Sequence, residues 1–406
     1  MRVLYVTPYV PSPVRVRPFQ LIRALAALGH EVHLVALQPP EDAWADLDTL
    51  GHVLAGVEVL PLTRAQTILN AARALPTGRP LQAAYADWPH ARVRLAEVAA
   101  AVRPDVIHVE HLRGAALAQE LGGGVPLVLD AVDSISRLCD LAARHAPGRG
   151  QRLVARLERG ATRRFEKRLP AIFDRIVVTS RADADAFRDV GVTEADLGRF
   201  AVVPNGVDLE YFGPLAPSPG RPTVLFSGKL SYHANAAAAL RLATRVMPEV
   251  WRARPDTGLL LAGKDPPRVI RDLARDPRVE VTGYLNDLRP CFGRATVSAA
   301  PLVYGVGVQN KVLEALACAR PVVTTPEVSG ALGGAMDFVL EARDDAGTAG
   351  AIVRLLDDDS LRVRLGNAGR AYVERHHHWR SSAERLVDTY LAAGARPRER
   401  ATRRTG

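Results

Sequence analysis

Three cysteines in 406 residues, Cys139, Cys291 and Cys318, are too few and too far apart for a disulfide framework, and no Cys-x-x-Cys occurs. They are expected to be reduced and mostly buried. Aromatic residues make up only 5% of the chain and are not interleaved with its basic clusters, which removes the stacking platforms of a nucleic-acid binder. No nucleic-acid partner is expected. No apolar run approaches the roughly 18 uncharged residues of a membrane-spanning helix. The opening MRVLYVTPYVPSPVRVR has neither the apolar stretch nor the small-residue cleavage site of a signal peptide. The expectation is a cytoplasmic chain that neither spans a membrane nor is exported. Also missing are a Gly-x-Gly-x-x-Gly after the first strand, a Walker loop, a Gly-x-Ser-x-Gly and a His-Glu-x-x-His, which argues against the dehydrogenase, nucleotide-hydrolase, serine-hydrolase and zincin chemistries. His376-His377-His378 does not supply a metal site, because three successive residues cannot all face one ion from a regular helix. No metal and no cofactor are expected.

What is present is ordinary in amount: 48% hydrophobic and 24% charged residues, in a length that suits two domains. The net charge of +9 is local. Segment 152–168 carries seven basic residues against Glu158 and Glu166, and 396–406 carries five arginines against Glu399. A basic helix near an anionic inner-leaflet surface gains roughly 1 kcal/mol per Lys or Arg, so peripheral contact with an anionic membrane on the inner face of the plasma membrane is one reading of 152–168. A solvated surface helix is the other.

Short β-branched runs alternate with helical patterns, the signature of parallel βαβ units and hence of an α/β fold. Val3–Val6 predicts a buried strand, followed by a Pro-rich loop and a helix from Pro18 with Leu21, Ile22, Leu25 and Leu28 on one face, stopped by Gly29. Further strands are expected at 31–36, 57–60, 106–108, 127–130, 175–179 and 201–203. A Pro- and Gly-rich stretch, 213–222, reads as a linker. A second unit then repeats the rhythm with strands at 223–227, 258–261, 279–282, 297–300 and 321–324 and a helix over 236–253. The expected division is 1–212, the linker 213–222, 223–375, a helical segment 376–395 crossing back to the first domain, and a disordered basic tail 396–406. Two doubly wound, Rossmann-like domains of this kind hold a ligand in a cleft at the carboxyl ends of their strands.

Phe226-Ser227-Gly228-Lys229-Leu230 places a glycine and a lysine where the second domain's first strand ends, a position suited to phosphate. Gly305-Val306-Gly307-Val308-Gln309-Asn310-Lys311 is a glycine-containing loop that opens a helix and can cradle a diphosphate. Glu314, one turn in from Lys311, can accept hydrogen bonds from two vicinal hydroxyls, as ribose recognition requires. In the first domain, Arg15 and Arg17 border a loop that opens onto a helix N-terminus, as anion ligands or as plain surface arginines. His108, Glu110 and His111 end a strand at the cleft, although a histidine there is equally a core residue. Asp130, Asp133 and Ser134 follow another strand and line the cleft or, for the last two, cap a helix.

Taken in order, these pieces resemble the family 4 retaining, nucleotide-sugar-dependent glycosyltransferases of the GT-B fold, over nearly the whole chain. The resemblance rests on Gly29-His30-Glu31-Val32, Asp105-Val106-Ile107-His108, Val178-Thr179-Ser180, Val203-Pro204-Asn205-Gly206-Val207-Asp208, Phe226-Ser227-Gly228-Lys229-Leu230, Gly283-Tyr284 and Lys311-Val312-Leu313-Glu314-Ala315-Leu316-Ala317. Asp130-Ala131-Val132-Asp133-Ser134-Ile135-Ser136 with Gln309-Asn310-Lys311 is similar to a subgroup associated with exopolysaccharide sugar transfer. The resemblance implies a hexosyltransferase that needs no metal, with a nucleoside-diphosphate sugar as donor and a glycan, lipid-linked or small-molecule acceptor. It implies that Glu314 holds the ribose, that Gly283 and Tyr284 meet the base, and that Lys229 is a diphosphate ligand; Gly228, Gly307 and Asn310 lie in the same two loops, and Lys311, ahead of Arg15 or Arg17, is the expected substitute for a second basic ligand. Lys229, Lys311, His108 and His111 are the expected catalytic groups. The chain departs from the family at Ala234, where a second lysine is common, and at Val306, where a glutamate contacts the transferred sugar.

Overall fold

The structure, a computed structural model, describes residues 1–39, 47, 49–119, 121, 124–146, 148–215, 220–305, 307–332 and 337–396. The chain forms two compact units: Met1–Ser136, Leu157–Pro204 and the segment from Trp379 in unit 1; Arg137–Arg156 and Asn205–His378 in unit 2. Val306, part of 213–222 and nearly all of 396–406 lie outside the described residues.

Unit 1 is built on seven parallel strands, β1 (Arg2–Thr7), β2 (Glu31–Gln38), β3 (Gly56–Pro61), β4 (Val106–Glu110), β5 (Leu127–Val132), β6 (Arg175–Val178) and β7 (Phe200–Val202). Their order is β3-β2-β1-β4-β5-β6-β7. β4 is buried at every position, as strands covered by helices on both faces must be. Helix α1 (Val16–Ala27) buries Phe19, Leu21, Ile22 and Leu25 and ends before Gly29, whose φ of +83° breaks the helix. It begins two residues earlier than the sequence predicts, so Arg17 lies in its first turn. The core beside α1 is completed by a distant helix, Trp379–Ala392, which inserts Trp379, Ala383, Leu386 and Tyr390 at a helical 4-3-4 spacing.

Unit 2 repeats the design with β8 (Thr223–Ser227), β9 (Gly258–Ala262), β10 (Val279–Val281), β11 (Val297–Ala300), β12 (Val322–Thr324) and β13 (Val339–Glu341), all parallel, in the order β10-β9-β8-β11-β12-β13. β13 was not expected. The single helix expected over 236–253 is three pieces, His233–Arg241, a π-helical turn Leu242–Val246, and Met247–Ala253. Pro248 explains the break: it lacks an N–H, and its ring would clash with the carbonyl four residues earlier, so the turn before it widens. His377 is buried, its Nδ1 donating to the Asn205 carbonyl at 2.7 Å. Among the described residues no group of three or more His, Cys, Asp or Glu could hold a metal, and all three cysteines are free and buried.

Two helices near the middle of the chain matter below, α2 (Ile135–His145) and α3 (Arg149–Arg168). Glu166 of α3 accepts from the backbone N–H of Ile135 at 2.7 Å and of Ser136 at 3.1 Å. The first turn of α2 is thus capped by a carboxylate remote in sequence, and Ser134 spends its hydroxyl on the same Glu166.

Candidate functional site

In a doubly wound sheet the crevice opens at the carboxyl ends of the two strands where the order reverses, which in unit 2 are β8 and β11. The chain leaves β8 through Gly228, φ +140°, and returns after β11 through Gly307, φ +67°, into helix α4 (Asn310–Ala317). The two loops are bonded together. Lys311 Nζ donates to Asn235 Oδ1 at 2.9 Å and to Gln309 Oε1 at 3.2 Å, while Asn235 Nδ2 donates to the Lys229 carbonyl at 3.0 Å. Asn310 Oδ1 accepts from Asn205 Nδ2 at 3.1 Å, which fixes the start of α4. Only glycine fits the turn: a Cβ on Gly263, at the end of β9, would lie 1.8 Å from the Gly228 carbonyl oxygen. After β10, Gly283 has φ +74° and Tyr284 is 61% exposed, with Lys264 Nζ 6.0 Å from its ring centroid. The Lys264 carbonyl accepts from Leu230 N at 3.0 Å, linking this turn to the Gly228-Lys229 turn.

Unit 2 therefore brings Gly228, Lys229, Asn310 and Lys311 to one place, with Glu314 one turn into α4. Lys229 is exposed, whereas Lys311 is buried and burial lowers its ammonium to about 8. Burial raises the half-buried Glu314 to about 7, against the pull of Lys311. The Glu314 carboxylate makes no side-chain hydrogen bond to another described residue. Two cations and a carboxylate at a helix start match the charges of a diphosphate and the hydroxyls of a ribose. Sequence reasoning missed Asn235 and Lys264, and named Gln309 only as part of the loop. Lys264 was readable: Gly263-Lys264 at the end of β9 repeats Gly228-Lys229 at the end of β8.

Unit 1 distributes its expected residues differently. Arg17 lies in α1 rather than in the loop before it. It is buried, with Nε 2.8 Å and Nη2 2.7 Å from Asp130 Oδ2, so its charge holds α1 to the end of β5. Arg15 stacks over the Tyr9 ring at 4.1 Å. Tyr9 and Tyr5 hydroxyls donate to Glu110 at 2.6 and 3.2 Å, and burial pushes Glu110 up to about 8. His108 is fully buried against Tyr5, its Nδ1 2.9 Å from the Tyr390 hydroxyl, and burial lowers it to about 3, so it is neutral. This is the core-residue alternative. His111 begins the helix after β4 with φ +61°, and Val132 at the end of β5 has φ +65°. Left-handed backbone at a β-branched valine is strained, and such strain gathers at binding sites. Beside it Asp133 accepts from Thr179 Oγ1 at 3.1 Å, and burial with the nearby Asp183 charge raises it to about 7. Glu166 also takes part in capping the helix that follows, by accepting from the backbone N–H groups of Ile135 and Ser136.

Residues 14–211 match the model of Glycosyltransferase Family 4, and 221–358 that of Glycosyl transferases group 1. The chain belongs to the family 4 glycosyltransferases. It is 28% identical to the MMP alpha-(1->4)-mannosyltransferase of Mycolicibacterium hassiacum over 93% of each chain. It is 31% identical to the GDP-mannose-dependent monoacylated alpha-(1-6)-phosphatidylinositol monomannoside mannosyltransferase of Corynebacterium glutamicum, over 47% of this chain and just 55% of that one. Among solved structures it is similar to the sucrose-phosphate synthase of Thermosynechococcus elongatus, with a TM-score of 0.73 at 18% identity, covering 97% of this chain and 100% of that one. Anabaena HepE in complex with UDP and glucose gives 0.65 at 16% identity, over 96% and 99%. The fold of this glycosyltransferase is GT-B, two Rossmann-like domains. The departure at Ala234 has a structural counterpart: Ala234 is 2% exposed, packed with Ala142, Ala143, Ala146 and Ala155 of the α2–α3 segment and with Tyr304. An ammonium has no room there.

Proposed function

We propose that this glycosyltransferase moves a hexose from a nucleoside-diphosphate sugar to an acceptor hydroxyl, with retention at the anomeric carbon and without a metal. The observation that carries the reading is Lys311 on the first turn of α4, bonded through Asn235 to the Gly228-Lys229 turn, with Glu314 one turn further along the helix. Glu314 accepts hydrogen bonds from the ribose hydroxyls, Gly283 and Tyr284 meet the base, and Lys229 and Lys311 face the diphosphate. As the bond from the anomeric carbon to the β-phosphate oxygen breaks, negative charge builds on the phosphate, and the two ammonium groups stabilise it electrostatically. Loss of one such donor typically costs about 100-fold or more. The acceptor oxygen bonds to the same face of the sugar, and its proton passes to the departing phosphate. The names of the relatives and the ligands of the HepE structures make GDP-mannose and UDP-glucose the first donors to test. The acceptor is a glycan or glycoconjugate, with exopolysaccharide assembly at the cytoplasmic face the favoured setting.

Buried Ala234, in place of a second lysine, favours one rival, a domain pair that binds nucleotide without transferring sugar. Melting the protein with UDP, GDP, dTDP and ADP and with their sugars, in EDTA, tests the donor site. A nucleotide at 100 times its Kd adds about 2.7 kcal/mol, a shift of a few degrees. No shift with any of them overturns the reading. With the nucleotide known, Lys229→Ala is expected to cut turnover about 100-fold. A nucleotide-binding protein with no turnover at all supports the rival.

A further inference from the structure

We infer that the outward face of α3 is a docking surface for an anionic lipid bilayer. The two acids of this 20-residue helix both turn inward. Glu158 accepts from the backbone N–H of Leu81 at 2.7 Å, and Glu166 caps the start of α2. Ala155, Thr162 and Phe165 share the buried side with Glu166. What faces solvent is therefore free of negative charge from the helix itself. Arg149, Arg156, Arg164 and Lys167 are exposed there, and beside them stand three apolar side chains, Leu153 at 56%, Val154 at 55% and Leu157 at 71% exposure. Leu153 and Leu157 are four residues apart and Val154 and Leu157 three, so all three form one contiguous knob on the helix surface.

One exposed leucine is ordinary. An apolar knob flanked by cations, on a helix whose two acids both accept hydrogen bonds from backbone N–H groups of the protein, asks for a partner at once apolar and anionic. A bilayer containing anionic lipid meets both demands: the side chains enter the acyl boundary while the guanidinium groups stay at the phosphates. A nucleic acid would leave the leucines unused. No helix among the described residues is long and apolar enough to cross a membrane, so the contact is peripheral.

Co-sedimentation of the full chain with vesicles of phosphatidylcholine alone, and of phosphatidylcholine mixed with phosphatidylglycerol, tests this. Binding is expected only to the mixed vesicles and is expected to weaken as salt rises, because the Debye length falls from about 10 Å at 0.1 M to about 3 Å at 1 M. The pair Leu153→Ser, Leu157→Ser is expected to weaken binding about tenfold or more, and Arg156→Gln about fivefold. Both changes are at exposed positions, and an unaltered melting temperature confirms that each variant folds. Wild-type protein that stays in solution with the mixed vesicles overturns the proposal. So does a leucine variant that melts and sediments like wild type. Self-association lost in that variant, with no vesicle binding, overturns it too and assigns the knob to a second copy of the chain.

Discussion

Lys311 and Glu314 are three residues apart, and burial pushes both toward neutral pH from opposite sides, one down to about 8 and the other up to about 7. Nucleotide binding needs the carboxylate ionised and the ammonium charged, so affinity is expected to rise through about pH 7 and fall through about pH 8. Titrating Kd against pH checks this; Glu314→Gln is expected to remove the acid limb and Lys311→Met the alkaline one. Stability of the empty protein carries the same signature. Folded Glu314 keeps its proton to about 7 against an ordinary 4.5, so the folded state binds more protons in that window and Glu314 makes stability fall as pH rises through it. Lys311 acts oppositely: from about 8 to its ordinary 10.5 the unfolded state binds more protons, and stability rises with pH. Gly263 supplies a second residue-scale prediction. A Cβ there would lie 1.8 Å from the Gly228 oxygen and φ is +153°, so Gly263→Ala is expected to cost about 2 kcal/mol or more and to displace the lysine turn. Denaturant unfolding measures the first effect and nucleotide affinity the second.

Ala234 shows how one element decides what a neighbouring element can carry. Because the α2–α3 segment packs alanines over this position, Ala234→Lys is not expected to restore a phosphate ligand. It is expected to destabilise by about 3 kcal/mol or more, since an unpaired ammonium would be buried. A variant that melts like wild type and turns over faster would refute the packing argument. The departure at 234 was legible in the sequence; its cause was not, because alanines near 142–155 announce nothing about where they dock. The strands were legible since buried parallel strands read as unbroken apolar runs, and so was the Lys311–Glu314 spacing, which is local to one helix turn. The sequence left the roles of Arg17 and His108 open for a complementary reason. Their partners, Asp130 and Tyr390, lie far along the chain, and sequence spacing carries no trace of such pairings.

Unit 1 is assembled from three stretches of chain, and the last supplies Trp379, Ala383, Leu386 and Tyr390 to its core. Large apolar side chains contribute about 1.5–3 kcal/mol each when buried, so removing this helix takes away a large part of a typical domain's stability. Ending the chain at His378 is expected to leave 1–136 open to limited proteolysis while 205–378 resists. Equal resistance of both would refute the dependence. The same connectivity sets a timetable. Every residue that unit 2 requires is synthesised before Trp379, whereas β1, made first, sits beside an uncovered α1 until the helix Trp379–Ala392 emerges from the ribosome. The order of completion thus runs against the order of synthesis. In the interval, the apolar side chains of α1 are the part of the nascent chain that a chaperone must shield.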